Sequence, residues 1–558
     1  MDPPSRRAGL RPIINLNLTV PDTVDQQSND LLFLPKNRKT DDEDIMLVLA
    51  LVWYLPYLPL LLVLLPSFVF AKDEFLCQHL QKHVFYTRLD HFNFRPTTPA
   101  TFPLRYFVCE DHFRRNDNGP VFFYTGNEAD ILQFVNNSGF LFESSKEFGA
   151  LVVFAEHRYY GESFPFGTAD HSLTPHNIQW LTVEQAMADF NMLNVFLRTN
   201  SPWSPHLSDA TSIIAFGGSY GANLALWLRL QHAHLWAGAI ASSATPLKHL
   251  LRNTNGFARI ETEAYGNVST SCPDLVRLGW EALYQASRRN LVRALDLCPS
   301  ALNEPDLSDL LHALIGDALE TMVQYGYPYP TSFYNPVPAF PFRETCLRML
   351  QAQTGLEALK TAMQVYYNWT GQAGPCFDVE SMAISAKSVF STRHSHLTAS
   401  DPTGVAWSYQ TCTEVYQPMP TDGVTDFEIP YTPNRTAYFE NCRRRWDVEP
   451  RADWEEQTFG GADISAGSNI FLTNGQLDPW RAAGIQKQPP GSPSSIIIRE
   501  IEQGAHHLDL RPSHPADPPS VKAVREEEKR AIQSWIIEWK KRHPIEDALV
   551  GNSIVNDH

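Results

Sequence analysis

The chain has 558 residues, 43% hydrophobic and 12% aromatic, enough apolar material for a sizeable core and too much for a disordered chain. A formal net charge of −17 argues against nucleic acid or an anionic membrane surface as partner. The sequence holds no Gly-rich phosphate loop, no zinc-spaced His/Cys set and no basic aromatic stripe, so neither a metal nor an organic cofactor is expected.

Residues 1–45 form a polar tail, acidic at Asp41-Asp42-Glu43-Asp44, that is expected to be disordered. Ile45 to Ala71 carries no charge over 27 residues and is long enough to span a bilayer, although Pro56, Pro59 and Pro66 interrupt it. Val69-Phe70-Ala71 ahead of Lys72 suits a signal peptidase, so the run reads as a cleaved secretory signal. The alternative is an uncleaved signal anchor, in which case the membrane becomes a partner.

Val121 to Tyr124 and Leu151 to Ala155 read as buried strands. Thr182-Val183-Glu184-Gln185 is a capping box for a helix running to Arg198. The apolar run Ser212 to Phe216 then enters Gly217-Gly218-Ser219-Tyr220-Gly221, and Ala222 to Leu230 is helix-like. Strand, G-x-S-x-G, helix is the setting of a nucleophile elbow, in which glycines permit a sharp turn that exposes the Ser hydroxyl. The plain alternative is a structural Gly-rich turn.

A nucleophilic Ser needs a base, and the base an orienting acid. Both follow in the chain. The strand Asn469 to Thr473 leads into a turn ending at Asp478, and Ile496 to Ile498 leads into a loop carrying His506 and His507. The 28 residues between Asp478 and His506 fit one helix and one strand, which would bring both to the C-terminal edge of a parallel sheet. A last helix begins at Ser520, with Ile532, Trp535, Ile536 and Trp539 at core spacing.

Ser219 and Asp478 are 259 residues apart, far more than a plain hydrolase sheet needs, so an insertion is expected. It contains helical patterns such as Leu307 to Val323 and a Pro/aromatic run, Tyr325 to Phe342. That run reads as core and turns, or as the wall of a proline-accepting pocket. The expected division is a tail plus signal or anchor (1–71), a first hydrolase part (72–247), a helical cap (248–459), a second hydrolase part (460–545) and a C-terminal tail (546–558).

Cys272, Cys298, Cys346, Cys376, Cys412 and Cys442 lie in the insertion without zinc-finger spacing, which suggests disulfides. Pairing of neighbours is the simplest expectation; Cys77 and Cys109 would pair or stay free. Sequons at Asn136, Asn267, Asn368 and Asn434 agree with a lumenal chain.

Several stretches together carry a resemblance. They are Arg88-Leu89-Asp90-His91-Phe92-Asn93-Phe94, Phe122 to Glu128, Glu156 to Ser163, the Ser219 elbow, Asn474 to Trp480 and Gly504 to Arg511. The chain resembles the prolyl-specific serine peptidases that include Pro-X carboxypeptidase and dipeptidyl peptidase II. The resemblance implies an α/β-hydrolase fold with a helical cap inserted between nucleophile and acid, and a possible homodimer. It also implies His506 as the catalytic histidine of the pair. Tyr327 to Thr331, Asp401-Pro402-Thr403-Gly404, Trp407 to Glu414 and Ser513 to Pro518 lean towards the dipeptidyl peptidase II branch. There Asp401 would bind a free substrate amine, although the cysteines flanking that segment in the relative are replaced by Ala399 and Val405; read from the residues alone, the segment is a turn in which Asp401 caps its own backbone.

The expected activity is therefore a serine exopeptidase using Ser219, His506 and Asp478 on small peptides, releasing N-terminal dipeptides after Pro or Ala. By hydrolase analogy the Tyr220 N–H and an N–H from the Gly126-Asn127 loop would form the oxyanion hole. The alternatives are a Pro-X carboxypeptidase and, from another class, a non-catalytic hydrolase-fold binding protein. The expected location is the secretory pathway, a lysosome or similar acidic vesicle, or outside the cell.

Overall fold

The structure is a computed structural model in which residues 77–246, 254–385 and 401–544 are described. The acidic tail, the apolar run Ile45 to Ala71, the start of the expected insertion at Lys248 and the tail 546–558 lie outside the described residues. No helix among the described residues is long and apolar enough to cross a membrane.

Among the described residues eight strands form one sheet: β1 (Gln81–Arg88), β2 (Thr101–Cys109), β3 (Val121–Thr125), β4 (Leu151–Ala155), β5 (Ile213–Gly218), β6 (Gly238–Ser242), β7 (Ile470–Gly475) and β8 (Ile496–Ile501). Their order is β1-β2-β4-β3-β5-β6-β7-β8. β1 and β2 pair antiparallel at one edge, and β4 onward runs parallel. β3 and β4 are buried along their whole length, which is why they read as continuous apolar runs. β1, β2 and β6 gave no clear signal: the first two form an edge hairpin, and β6 is the short, small-residue run Gly-Ala-Ile-Ala-Ser.

Helices cover both faces. Val121 and Phe123 point to the side of α1 (Val183–Thr199) and α2 (Tyr220–Gln231), whose Phe190 and Trp227 share that core. Phe122 and Tyr124 point to the opposite core. The α1 cap is formed as anticipated, with Thr182 accepting from the Gln185 N–H.

The insertion between β6 and β7 is helical. α3 (Gly256–Gly266), α4 (Ser271–Gln285), α5 (Leu307–Gln324) and α6 (Gly355–Tyr367) contribute to an apolar core separate from those on the sheet. α7 (Pro402–Thr413) and α8 (Arg435–Trp446) follow. The segment Trp454–Phe459 departs from the expected boundary at 459. Trp454 and Phe459 belong to the sheet core, where the Phe459 ring stacks on Trp227 at 4.2 Å. α9 (Pro519–Arg542) closes the chain over β6. Its Trp535 ring lies 2.2 Å from where a Cβ of Gly238 would stand, so a side chain at 238 would displace the helix. Ile532, Trp535, Ile536 and Trp539 are all buried, each worth about 1.5–3 kcal/mol.

Two expectations need correction. The disulfides are Cys77–Cys109, Cys272–Cys346, Cys298–Cys376 and Cys412–Cys442. Neighbour pairing therefore holds only for the last, because the helices of the cap bring Cys272 to Cys346 and Cys298 to Cys376 across separations of 74 and 78 residues. The second correction concerns Asp478 and His506. Only a 3₁₀ turn, Pro479–Ala483, lies between β7 and β8, and no α-helix. Pro489, Pro490 and Pro493 bar a helix from that connection.

Gly316, buried in the middle of α5, has nothing within 4 Å of the point where a Cβ would stand. Gly316→Ala is expected to stabilise the protein by about 0.5–1 kcal/mol. A thermal melt showing a lower Tm would refute this.

Buried acids set a pH dependence. Desolvation pushes Asp317 up to about 7. Desolvation and the Glu184 charge push Glu414 up to about 8. Desolvation and the Asp509 charge raise Glu528 well above the carboxylate range. Acids raised in the folded state contribute stability that is complete below their unfolded values, near pH 4, and is lost as pH rises towards 8. Asp189 acts the other way: burial works to raise it, but Arg158 and His91 outweigh burial and hold it low. Its contribution is lost as pH falls below the ordinary aspartate value. Buried His157 and His507, held below the ordinary histidine range, contribute stability that is lost as pH falls below about 6.5, so the Tm is expected to decline from about pH 6.5 towards pH 8 as the raised acids ionise. A Tm that rises over that interval would contradict the assignment.

Candidate active site

β5 ends at Gly218 and α2 opens at Tyr220, so Ser219 is the single residue of the turn. Its φ of 58° and ψ of −127° lie where L residues rarely go. Close backbone approaches hold it there. A Cβ on Gly217 would stand 2.1 Å from the Gly221 carbonyl oxygen; one on Gly221 would stand 2.3 Å from Asn127 Oδ1 and 2.6 Å from the Thr125 oxygen. Thr125 Oγ1 bonds the Gly221 and Phe216 carbonyls at 2.7 and 3.0 Å, and Asn127 Nδ2 donates to the Gly218 carbonyl at 2.5 Å. The Ser219 N–H donates to the Ser242 carbonyl at 3.0 Å, extending the β5–β6 pairing into the turn.

β7 delivers Asp478 and β8 the loop carrying His506. Asp478 Oδ1 accepts from the Trp480 N–H at 3.0 Å, which caps the 3₁₀ turn, and Oδ2 accepts from His506 Nδ1 at 2.7 Å. Both side chains are wholly buried. The His506 backbone is held from the cap: its N–H donates to the Gln324 carbonyl, and its carbonyl accepts from the Tyr327 hydroxyl, both at 2.9 Å. The Tyr325 ring stands edge-on to the imidazole, with centroids 6.1 Å apart. The aromatic run is thus a seat for the histidine loop and joins the core on that face of the sheet through Tyr325, Tyr327, Tyr329 and Phe333. Nothing in its spacing announced that part.

With Nδ1–H committed to Asp478, Nε2 is the acceptor. It is buried and makes no hydrogen bond among the described residues, so the Ser219 hydroxyl is not yet joined to it. An unmet buried acceptor costs about 1–3 kcal/mol. Bonds of this kind commonly tighten only when substrate is in place.

His507 is the other member of the pair, and it is differently employed. Its N–H donates to Ser243 Oγ at 2.9 Å, and its ring lies against Gly218, 3.1 Å from where a Cβ would be. Burial first, then the neighbouring His506 and Arg511, holds it well below the ordinary histidine range and so neutral.

Of the loop residues expected to supply the second oxyanion donor, Gly126 is not available. Its N–H donates to the Ala155 carbonyl at 3.0 Å, as a continuation of the β3–β4 pairing. Asn127 remains, braced by the Tyr124 hydroxyl on its Oδ1 at 3.1 Å. Tyr220, the other residue expected to donate, is the first of α2, at the positive end of the helix dipole.

Asp401 is the N-cap of α7. Its Oδ1 accepts from the Gly404 N–H at 3.0 Å, the bond an Asp-Pro-Thr-Gly turn makes with itself. The stretch Glu156 to Ser163 proves largely structural. Arg158, fully buried, grips both oxygens of Asp189 at 2.6 and 2.7 Å, and Arg105 pairs with Glu156. His157 reaches the elbow, with Nε2 3.1 Å from the Tyr220 hydroxyl. Among the sequons, Asn136, Asn267 and Asn434 are exposed and Asn368 is half-buried.

Comparison with known proteins agrees with this geometry. The family model described as serine carboxypeptidase S28 matches residues 87–528. The chain is 36% identical over 466 residues to the Lysosomal Pro-X carboxypeptidase of Bos taurus, covering 82% of this chain and 88% of that one. It is 35% identical over 463 residues to the Homo sapiens protein of the same name, covering 81% and 87%. It is 27% identical over 487 residues to the Thymus-specific serine protease of Mus musculus, covering 81% and 87%. These matches span both parts of the sheet and the whole insertion between them. With an α/β-hydrolase sheet, a strained Ser219 after β5 and the Asp478–His506 pair at the ends of β7 and β8, the chain belongs to the serine carboxypeptidase S28 family.

Proposed function

We propose that this serine peptidase is a Pro-X carboxypeptidase that removes the residue following a proline at the C-terminus of small peptides. The observation that carries the reading is the 35–36% identity, over four-fifths of the chain, to relatives named Lysosomal Pro-X carboxypeptidase. In the reaction, Ser219 Oγ attacks the prolyl carbonyl while His506 Nε2 takes its proton. The tetrahedral oxyanion is met by the N–H groups of Tyr220 and Asn127. His506 then protonates the departing nitrogen, and water repeats the sequence on the acyl-enzyme. Asp478 fixes the imidazole and stabilises its charged form. Four disulfides and the lysosomal relatives favour an acidic compartment of the secretory pathway.

The second reading is release of N-terminal dipeptides, favoured by the position of Asp401 on α7, the helix whose Trp407 ring meets Tyr220 at 5.5 Å. Peptides blocked at one end decide between them. N-acetylated substrates ending in Pro-X are expected to lose X at an undiminished rate, and C-amidated ones to resist. Asp401→Asn, which keeps a capping side chain, is expected to change kcat/KM by less than about threefold. Loss of a dipeptide from C-amidated peptides, together with a fall of about 2–5 kcal/mol in transition-state stabilisation in Asp401→Asn, would establish the dipeptidyl reading instead.

A further inference from the structure

The sequence Trp407-Ser408-Tyr409-Gln410-Thr411-Cys412-Thr413-Glu414 forms the second half of cap helix α7 and its C-cap residue and has no part in the mechanism above. Gln410 and Glu414 are nonetheless buried, and Gln410 reaches the elbow. Gln410, wholly buried, donates from Nε2 to the Tyr220 hydroxyl at 3.0 Å and accepts on Oε1 from the Tyr160 hydroxyl at 2.5 Å. The same Nε2 lies 3.1 Å from Glu414 Oε1. Glu414 in turn accepts the Val183 N–H, at the start of α1, at 3.1 Å on each oxygen.

The direction of each bond follows from chemistry. His157 Nδ1 lies 2.7 Å from the Arg158 carbonyl, which can only accept, so Nδ1 carries the proton. Nε2 of His157 is then an acceptor, and the Tyr220 hydroxyl donates to it at 3.1 Å. The tyrosine oxygen is left to accept from Gln410, as found. Burial lowers His157 to about 4, so the neutral form this requires persists through the acidic range. A chain of bonds therefore runs from cap helix α7 through the Tyr220 side chain into the loop after β4. Tyr220 is the residue whose backbone N–H faces the reacting carbonyl. Its side chain is held on both sides, and the Cys412–Cys442 disulfide ties the clamp to α8.

We infer that Gln410 is a positioning residue: by clamping the Tyr220 side chain it makes the docking of the cap set the orientation of the oxyanion-hole N–H. This rests on the reading of Ser219 and Tyr220 as nucleophile and oxyanion donor. An oxyanion donor acts on the tetrahedral state and little on the bound ground state, and losing one costs about 10²–10³-fold in kcat. A donor that is misaimed but present should lose less. Gln410→Met keeps length and volume and removes the clamp; Tyr220→Phe removes only the hydroxyl.

The test measures both variants and the double variant. Expected is a fall in kcat of about 10- to 100-fold with KM changed less than about threefold. Affinity for a peptide boronate, which forms a tetrahedral adduct, should fall in step with kcat/KM, and affinity for the product peptide should not. The double variant should be no worse than the poorer single one, because both cut the same bond. Ser219→Ala is run alongside. If it is inactive while the clamp variants keep wild-type kcat and boronate affinity, the inference is overturned and the nucleophile reading stands. If Ser219→Ala is active, the nucleophile reading itself fails. Should Gln410→Met not fold, Tyr220→Phe alone decides. A loss in it that appears equally in product binding, or only as a lower Tm, marks the clamp as merely structural and overturns the inference.

Discussion

Ser219→Ala is expected to lower kcat/KM by about 10⁴-fold or more with an unchanged Tm, and to abolish labelling by a fluorophosphonate. The fold should tolerate it because no hydrogen bond of the elbow uses the hydroxyl: the turn is held through the Ser219 backbone N–H, Thr125 and Asn127. His506→Ala should be as damaging, since the imidazole joins Asp478 at 2.7 Å and its other nitrogen is kept open. The double variant should be little worse than either single one, because the two groups act as a unit. His507→Ala should instead act mainly on stability, as its ring packs on Gly218 and makes no bond to Asp478. Turnover retained in Ser219→Ala, or a His507 variant worse than the His506 variant, would overturn the assignment.

Gly217→Ala is expected to destroy the elbow. The added methyl would stand 2.1 Å from a backbone carbonyl oxygen, that of Gly221, and neither side can yield without breaking the β5–α2 turn. Overpacking in a core that can adjust costs about 1–3 kcal/mol, and this one cannot adjust, so a loss of more than about 3 kcal/mol is expected. Gly218→Ala is the graded control. Its methyl would meet the His507 ring at 3.1 Å, a side chain that can shift by a few tenths of an ångström. It should keep its fold and part of its activity. Paired thermal melts and fluorophosphonate labelling check the order. A Gly217→Ala protein that folds and labels like wild type would show that the turn does not need glycine there.

The elbow was legible in the sequence because its constraint is local. A buried strand reads as an apolar run, and a strained Ser between close backbone approaches leaves glycine as the fitting neighbour. The strand ends before Asp478 and His506 were legible for the same reason, and so was the buried stripe of α9. The absence of a helix between Asp478 and His506 could also have been read, from Pro489, Pro490 and Pro493. The disulfide pairing could not. Neighbour pairing assumes that proximity along the chain means proximity in space, and the packing of the cap helices into one core removes that link.

By itself, then, the sequence determined the class of the sheet, the place of the Ser219 elbow, the order of Ser219, Asp478 and His506 on strand ends, and the existence of an insertion. Each depends on the covalent neighbours of a residue, through periodicity, φ/ψ sterics or chain length. Only the tertiary structure decided that Gly126 spends its N–H on the sheet, that Tyr327 and Gln324 hold the histidine loop, and that Gln410 grips the side chain beside Ser219. Those roles are hydrogen bonds to partners as many as 190 residues away, as between Gln410 and Tyr220. A residue's donors and acceptors are written in its type, but which partner satisfies them is fixed only when burial removes water as the alternative.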